Sequence, residues 1–368
     1  MEATRHPARM IRYLQAARAA VEQGTATRFV IGNESADLDS MAAAVAYAWH
    51  AGGRAGDMAA PMVPLVNVPR ADYKLRTEAV FLFARAGIGP ELLAFIDEVD
   101  LEALAARDAL QLTLVDHNVL AASQGGLARA VVGIVDHHKD EGGFPGADPR
   151  IIEPVGSSCT LVAEALLREQ PAAVEPGLAE LLLGTILLDT VNLDSAAGRV
   201  TAKDEEIAGR LHAICGAEPK ALFDQLQFEK FNVAALDTPD LLRKDYKQYQ
   251  MGSVRCGMSS VLLPIVQWLD KDPDLATSLA DYAAKNGLDL LLVMNAYTDP
   301  EFRRELVVWA ADPGLRERVL GFLGASELGL VPIADPRASA APEVAMFSQA
   351  NAAYSRKKLQ PLVQQFLG

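Results

Sequence analysis

Ala130-Val131-Val132-Gly133-Ile134-Val135-Asp136-His137-His138 is the stretch on which the reading of this 368-residue chain turns. Its apolar part has the length of a buried strand, and it stops abruptly at a carboxylate followed by two imidazoles. Open α/β sheets carry their chemistry at the carboxyl ends of such strands. The construction recurs upstream. Leu110-Gln111-Leu112-Thr113-Leu114-Val115 ends in Asp116-His117-Asn118, and Arg28-Phe29-Val30-Ile31-Gly32 ends in Asn33-Glu34-Ser35-Ala36-Asp37-Leu38-Asp39-Ser40. Three strand ends therefore offer polar ligands.

Outward from these runs, strand-like and helix-like segments alternate. An alanine-rich helix is expected over about Ser40–His50, a strand at Met62–Val66 and a helix over Asp72–Ala86. Such alternation predicts an α/β fold with a mainly parallel sheet flanked by helices. From Cys159 to Glu229 the pattern is helical. It breaks at Leu236-Asp237-Thr238-Pro239-Asp240, after which strands at Val254–Leu262, Leu288–Asn295 and Glu305–Ala310 alternate with helices at Pro273–Lys285 and Pro313–Leu323. The expected organisation is an N-terminal domain over 1–238 and a smaller α/β domain with a mixed sheet over 239–368. The active site is expected in the cleft between them.

Composition narrows the function classes. Half of the residues are hydrophobic and 22% are charged, as in ordinary soluble domains. Lys plus Arg at 34 against Asp plus Glu at 48 gives a net charge of −14, which opposes non-specific nucleic-acid binding. A phosphate-rich substrate then requires a local basic pocket. Cys159, Cys215 and Cys256 are too scattered for a disulfide framework or a thiolate metal site. No run reaches membrane-span length, and Met1–Gln23, with periodic Ile11, Leu14 and Val21, reads as a packed first helix. The expectation is a cytoplasmic protein with no membrane or obligate protein partner.

The chemistry is expected at Asp37, Asp39, Asp116, His137, His138 and Asp189, the last within Leu187-Leu188-Asp189-Thr190-Val191-Asn192. Carboxylates with one or two histidines and no thiolate suit Mg²⁺ or Mn²⁺, with Co²⁺ possible, rather than structural zinc. Two ions roughly 3.5–4 Å apart would activate a bridging water for attack on phosphorus. Each piece also has a plainer reading. Asp37 and Asp39 suit a helix N-cap, and Asp116 or either histidine alone suits a structural role. Asp189 is harder to dismiss, because a carboxylate on an apolar face is costly unless paired or bound to a cation.

Taken as a set, these residues resemble the DHH phosphoesterase superfamily. Gly32–Ser40, Leu114–Asn118, Val135–His138 and Leu188–Thr190 are similar to its successive motifs. Ser355-Arg356-Lys357-Lys358 resembles the closing motif of the branch holding family II inorganic pyrophosphatases, cytosolic exopolyphosphatases and prune-type proteins. The resemblance implies that Asp37 and Asp39 bind different metals, that Asp116 bridges them, and that His137 and Asp189 complete the second site. It implies that His138 contacts the phosphoryl group and protonates the leaving oxygen, while Lys247, Arg356 and Lys357 bind phosphate.

Asn33 stands where family II pyrophosphatases have a histidine ligand, and it matches the exopolyphosphatase type. It is expected on the substrate side of the site. The resemblance therefore implies a metal-dependent exopolyphosphatase that releases terminal orthophosphate from inorganic polyphosphate by a water activated by two metal ions. The alternatives are a pyrophosphatase, a short-chain or nucleoside-polyphosphate hydrolase, and a prune-like regulatory protein. Arg70, Lys74 and Arg76 are equally readable as a helix start with paired charges and as polyphosphate contacts. Gly156-Ser157-Ser158-Cys159-Thr160 reads either as a phosphate-facing helix N-terminus or as a plain cap.

Overall fold

Six strands form the first sheet: β1 (Arg28–Ile31), β2 (Val63–Val66), β3 (Ala94–Phe95), β4 (Gln111–Val115), β5 (Val131–Asp136) and β6 (Arg150–Ile152). They run in the order β3-β2-β1-β4-β5-β6, every pair parallel. The structure is a computed structural model that describes residues 9–53, 61–298, 301–339 and 341–368. The expected helix over Met1–Gln23 is present as Arg9–Glu22, and its first eight positions lie outside the described residues.

Side chains of the strands alternate between two cores, the period-2 consequence of pleating. Phe29 and Ile31 join Leu65, Leu112, Leu114 and Ile134 on one face. Val30, Val66, Val115 and Val135 face the other way, beneath the helices Leu38–Gly53, Ser158–Glu169 and Pro176–Asp189. The helix Leu38–Gly53 is alanine-rich because it sits centrally. Ala42, Ala43, Ala44, Ala46 and Ala48 are all buried, and their small side chains allow close approach to β1, β2 and its neighbouring helices. The helix Pro176–Asp189 is apolar over most of its surface, with Leu181, Leu182, Leu183, Ile186 and Leu187 fully buried, and it carries Asp189 at its end to a half-buried position.

The second sheet comprises β7 (Tyr246–Met251), β8 (Val254–Val261), β9 (Leu290–Thr298), β10 (Phe302–Ala310), β11 (Leu330–Pro332) and β12 (Val344–Gln349), in the order β11-β12-β10-β9-β8-β7. Only β8 and β9 are parallel; the crossover between them carries the helices Ile265–Lys271 and Leu275–Asn286. This is the expected mixed sheet. The chain clusters into two compact units, Met1–Lys230 and Phe231–Gly368. No helix among the described residues is long and apolar enough to cross a membrane.

Two local expectations are corrected. The helix expected over Asp72–Ala86 divides into a 3-10 turn at Arg70–Leu75 and a helix at Thr77–Arg85. The break falls at Arg76, whose φ of −95° and ψ of 69° are not helical and whose guanidinium donates to the Ser35 carbonyl. Tyr246–Met251, absent from the expected strands and represented there only by Lys247, is a strand. Its polar sequence hides it, and a tight reversal at Gly252, φ +58°, pairs it with β8.

Candidate metal centre

Each expected strand end contributes to one cavity of about 450 Å³. Asn33, Asp37, Asp39, Asp116, His137, His138 and Asp189 all line it, together with Val155, Gly156 and the segment 198–201.

The loop after β1 is built around Gly32. A Cβ there would stand 2.5 Å from the Ser40 Cβ, so only glycine lets the helix Leu38–Gly53 start this close to the strand. The proximity lets the Asn33 N–H donate to Ser40 Oγ at 3.1 Å, while the Ser40 hydroxyl donates to Asp116 Oδ2 at 2.7 Å. Asp37 Oδ1 accepts from the Ser40 N–H at 3.1 Å, so Asp37 caps the helix as well as lining the cavity. Arg76 secures the loop from outside by donating to the Ser35 carbonyl at 2.6 Å.

Asp39 is 3% exposed and seated on the N-terminus of the helix Ser158–Glu169. It accepts from Ser158 N–H at 2.7 Å, Cys159 N–H at 2.9 Å and Ser157 Oγ at 2.7 Å. These amides therefore hold a carboxylate of the centre, which corrects the phosphate-facing reading of Gly156–Thr160.

Asp116 follows β4 in a left-handed conformation, φ +61°, and is 2% exposed. Its Oδ1 meets His137 Nε2 at 3.1 Å, and its Oδ2 also accepts from Asn33 Nδ2 at 2.9 Å. His137 Nδ1 bonds the Val155 carbonyl at 2.9 Å, which turns Nε2 into the cavity. Asp136, absent from the expected ligand set, is the organiser of the pair of histidines. Its fully buried Oδ1 accepts from the His137 N–H and from His138 Nδ1, both at 2.8 Å, and its Oδ2 accepts from Asn118. The side chain of His138 is 55% exposed against 19% for His137, so His138 faces the open side.

Asp189 ends its helix, and the chain then reverses through Val191, Asn192 and Leu193, all left-handed with φ between +53° and +58°. Left-handed backbone costs non-glycine residues about 1–2 kcal/mol each, a strain that neighbouring structure must hold in place. Gly156 closes the wall: a Cβ would lie 2.4 Å from Thr190 Cγ2 and 2.9 Å from the Arg199 carbonyl oxygen. Asp204, fully buried, ties the parts together by accepting from Gly156 N–H, Thr160 Oγ1 and Thr201 Oγ1.

The electrostatics are those of crowded acids. Burial, then the charge of Asp39, raises Asp116 to about 7. The same two causes raise Asp37, and burial with Asp39 and Asp37 raises Asp189 well above the carboxylate range. Burial opposes the His137 imidazolium, but the Asp116 hydrogen bond and the Asp39 charge outweigh it and raise His137 to about 10. Asp136 is held low despite burial by its bonds from His138 and Asn118, and it raises His138 in turn.

This donor set fits divalent cations. Asp189 Oδ2 is buried with no hydrogen-bond partner among the described residues, an arrangement that a cation would satisfy. Ligand atoms of Asp116, His137 and His138 lie within 4.8 Å of one another, and the donors are oxygens and imidazole.

Other expected site residues lie in the second unit. Arg356 is paired with Asp245, Nη2 to Oδ1 at 2.6 Å, which brings it beside the strand carrying Lys247; Lys247 and Lys357 are exposed. Arg70 lies 4.4 Å over the Phe95 ring and bonds Glu98, so its charge serves packing in the first unit. Lys74 is exposed.

Residues 28–186 match the DHH family N-terminal domain, and residues 224–366 match the DHHA2 domain. The chain belongs to the DHH family of phosphoesterases. Exopolyphosphatase PRUNE1 of Mus musculus is 34% identical over 96% of this chain and 78% of its own length. Its Bos taurus counterpart is 35% identical over 97% of this chain and 79% of its own length. A manganese-dependent inorganic pyrophosphatase of Methanothrix thermoacetophila is 24% identical over 72% of this chain and 80% of its own length.

Proposed function

We propose that the protein is a metal-dependent exopolyphosphatase that releases terminal orthophosphate from inorganic polyphosphate. The observation that carries this reading is the convergence of Asp37, Asp39, Asp116, His137 and Asp189 on one cavity in which an Asp189 oxygen lacks a partner. The names of the mammalian relatives and the asparagine at position 33 favour polyphosphate over pyrophosphate.

Asp37, Asp39, Asp116, His137 and Asp189 are assigned as ligands for two or more divalent ions, Mg²⁺, Mn²⁺ or Co²⁺. Bound there, the ions would offset phosphoryl charge and lower the pKa of an attacking water. The protein's own part is orientation. Ser157 and two backbone amides fix the Asp39 carboxylate, and Val155 fixes the His137 ring so that Nε2 is the ligating atom. His138 donates its Nδ1 proton to Asp136, whose carboxylate favours the imidazolium, and the Nε2 proton of that cation is the one that goes to the leaving phosphate oxygen. Asn33, with its amide bonded to Asp116, faces the substrate from the first strand end. Lys247, Arg356 and Lys357 of the second unit are assigned to chain phosphates. The net charge of −14 disfavours nucleic acid as an alternative substrate.

The test is metal replacement on the full chain. Protein stripped with a chelator is expected to release no phosphate from polyphosphate, and to recover when Mn²⁺ or Mg²⁺ is returned. Equal release with and without metal would overturn the reading.

A further inference from the structure

Arg199 had no place in the sequence reading, yet it lines the same cavity as the four aspartates. Among the described residues its guanidinium has no ion-pair and no hydrogen-bond partner, although carboxylates surround the space it borders. Of the cations nearby, Arg76 is committed to the Ser35 carbonyl and Lys203 to Glu153 and Glu164, while the charge of Lys230 acts on Asp37.

The position is fixed from two sides. The Arg199 carbonyl packs so closely on Gly156 that no Cβ fits between them. Two residues on, Thr201 caps the helix Ala202–Cys215 and bonds Asp204, which also holds the Gly156 N–H. The left-handed turn at 191–193 and Gly198, φ +68°, return the chain to this wall. Val155, whose carbonyl orients His137, adjoins Gly156, and Thr190 follows Asp189, so Arg199 belongs to the His137–Asp189 side of the cavity.

We propose that Arg199 is a substrate-binding residue whose guanidinium takes two oxygens of the phosphoryl group on the His137–Asp189 side. The inference rests on the phosphohydrolase reading above. A planar, permanently charged fork suits two phosphate oxygens, and supplies positive charge in a cavity whose own side chains are mostly anionic. It leaves the metal ligands untouched.

The experiment compares the full chain with Arg199→Gln and Arg199→Lys. Orthophosphate is titrated calorimetrically into each Mn²⁺-loaded protein, and kcat and KM are measured on tripolyphosphate. Arg199→Gln is expected to weaken orthophosphate binding about 10- to 100-fold, the worth of a charge-assisted hydrogen-bond pair. Mn²⁺ affinity and thermal midpoint are expected to hold, and Arg199→Lys is expected to recover part of the loss. Wild-type orthophosphate affinity in Arg199→Gln would overturn the assignment, as would a matching loss of Mn²⁺ affinity. If wild-type protein cleaves no phosphoanhydride but Arg199→Gln still weakens orthophosphate binding, the proposed function fails and the assignment stands. No orthophosphate binding by the wild type would overturn both.

Discussion

The Asp39 carboxylate closes the N-terminus of the helix that begins at Ser158, accepting the Ser158 N–H at 2.7 Å across 119 positions of sequence. The partial positive charge of a helix start orients the acid. The Ser157 hydroxyl adds a third bond at 2.7 Å. Ser157→Ala is therefore expected to cost about 1 kcal/mol of stability, and to weaken Mn²⁺ binding about 10-fold through the loss of an orienting partner. Thermal melts and Mn²⁺ titration measure the two effects. Unchanged metal affinity would show that the amides alone hold Asp39 in place.

Burial and the charge of Asp39 put Asp116 at about 7 against an ordinary value of 3.8. The metal-free folded form thus binds this proton more tightly than the unfolded chain does, and the group's contribution to stability falls as pH rises from about 4 to about 7. Asp116→Asn removes that penalty. Without metal, the variant is expected to match the wild type near pH 4 and to exceed it by about 4 kcal/mol at pH 8. Denaturant melts in chelator across that range test the sign, and a variant that loses ground as pH rises would contradict it.

His137 holds a proton up to about 10 in the metal-free cavity because Asp116 and Asp39 outweigh the effect of burial. A cation can use Nε2 only after that proton leaves. Mn²⁺ binding at pH 7 is expected to release about one or two protons per chain, read from titrations in buffers of different ionisation enthalpy. Binding with no proton release would exclude His137 as a ligand.

Asn33 is tied to Asp116 Oδ2 through Nδ2 and accepts the Ser35 N–H at 2.9 Å, so its amide is engaged on both sides. Asn33→His exchanges an amide for a better transition-metal ligand. Pyrophosphate hydrolysis is expected to rise relative to polyphosphate hydrolysis. Kinetics on both substrates check this, and no change with intact metal binding would remove Asn33 from the account of specificity.

The residues that line the cavity were legible because each apolar run ends abruptly in acids or imidazoles, and because Asp189 is an acid within a leucine-rich helix. The parts that fix those residues were not. Ser40 reaches Asp116 across 76 positions, Ser157 reaches Asp39 across 118, and Asp204 reaches Gly156 across 48. Contacts of that span leave no periodic trace in a sequence. Asp136 was visible as part of an Asp-His-His run, but its grip on His138 depends on the backbone turn after β5. Arg70 and Arg76 look alike in sequence; only the fold separates a cation held by Glu98 from one that braces the Asp37 loop. Arg199 is a lone arginine after a glycine, with no pattern around it.

The central claim is removal of terminal phosphate from long polyphosphate. Its most direct test measures phosphate release from long-chain polyphosphate, tripolyphosphate and pyrophosphate in parallel, with Mg²⁺, Mn²⁺ or Co²⁺ and a chelator control. The account predicts rapid metal-dependent release from long chains and little from pyrophosphate. Rapid pyrophosphate hydrolysis with little release from long chains would contradict it.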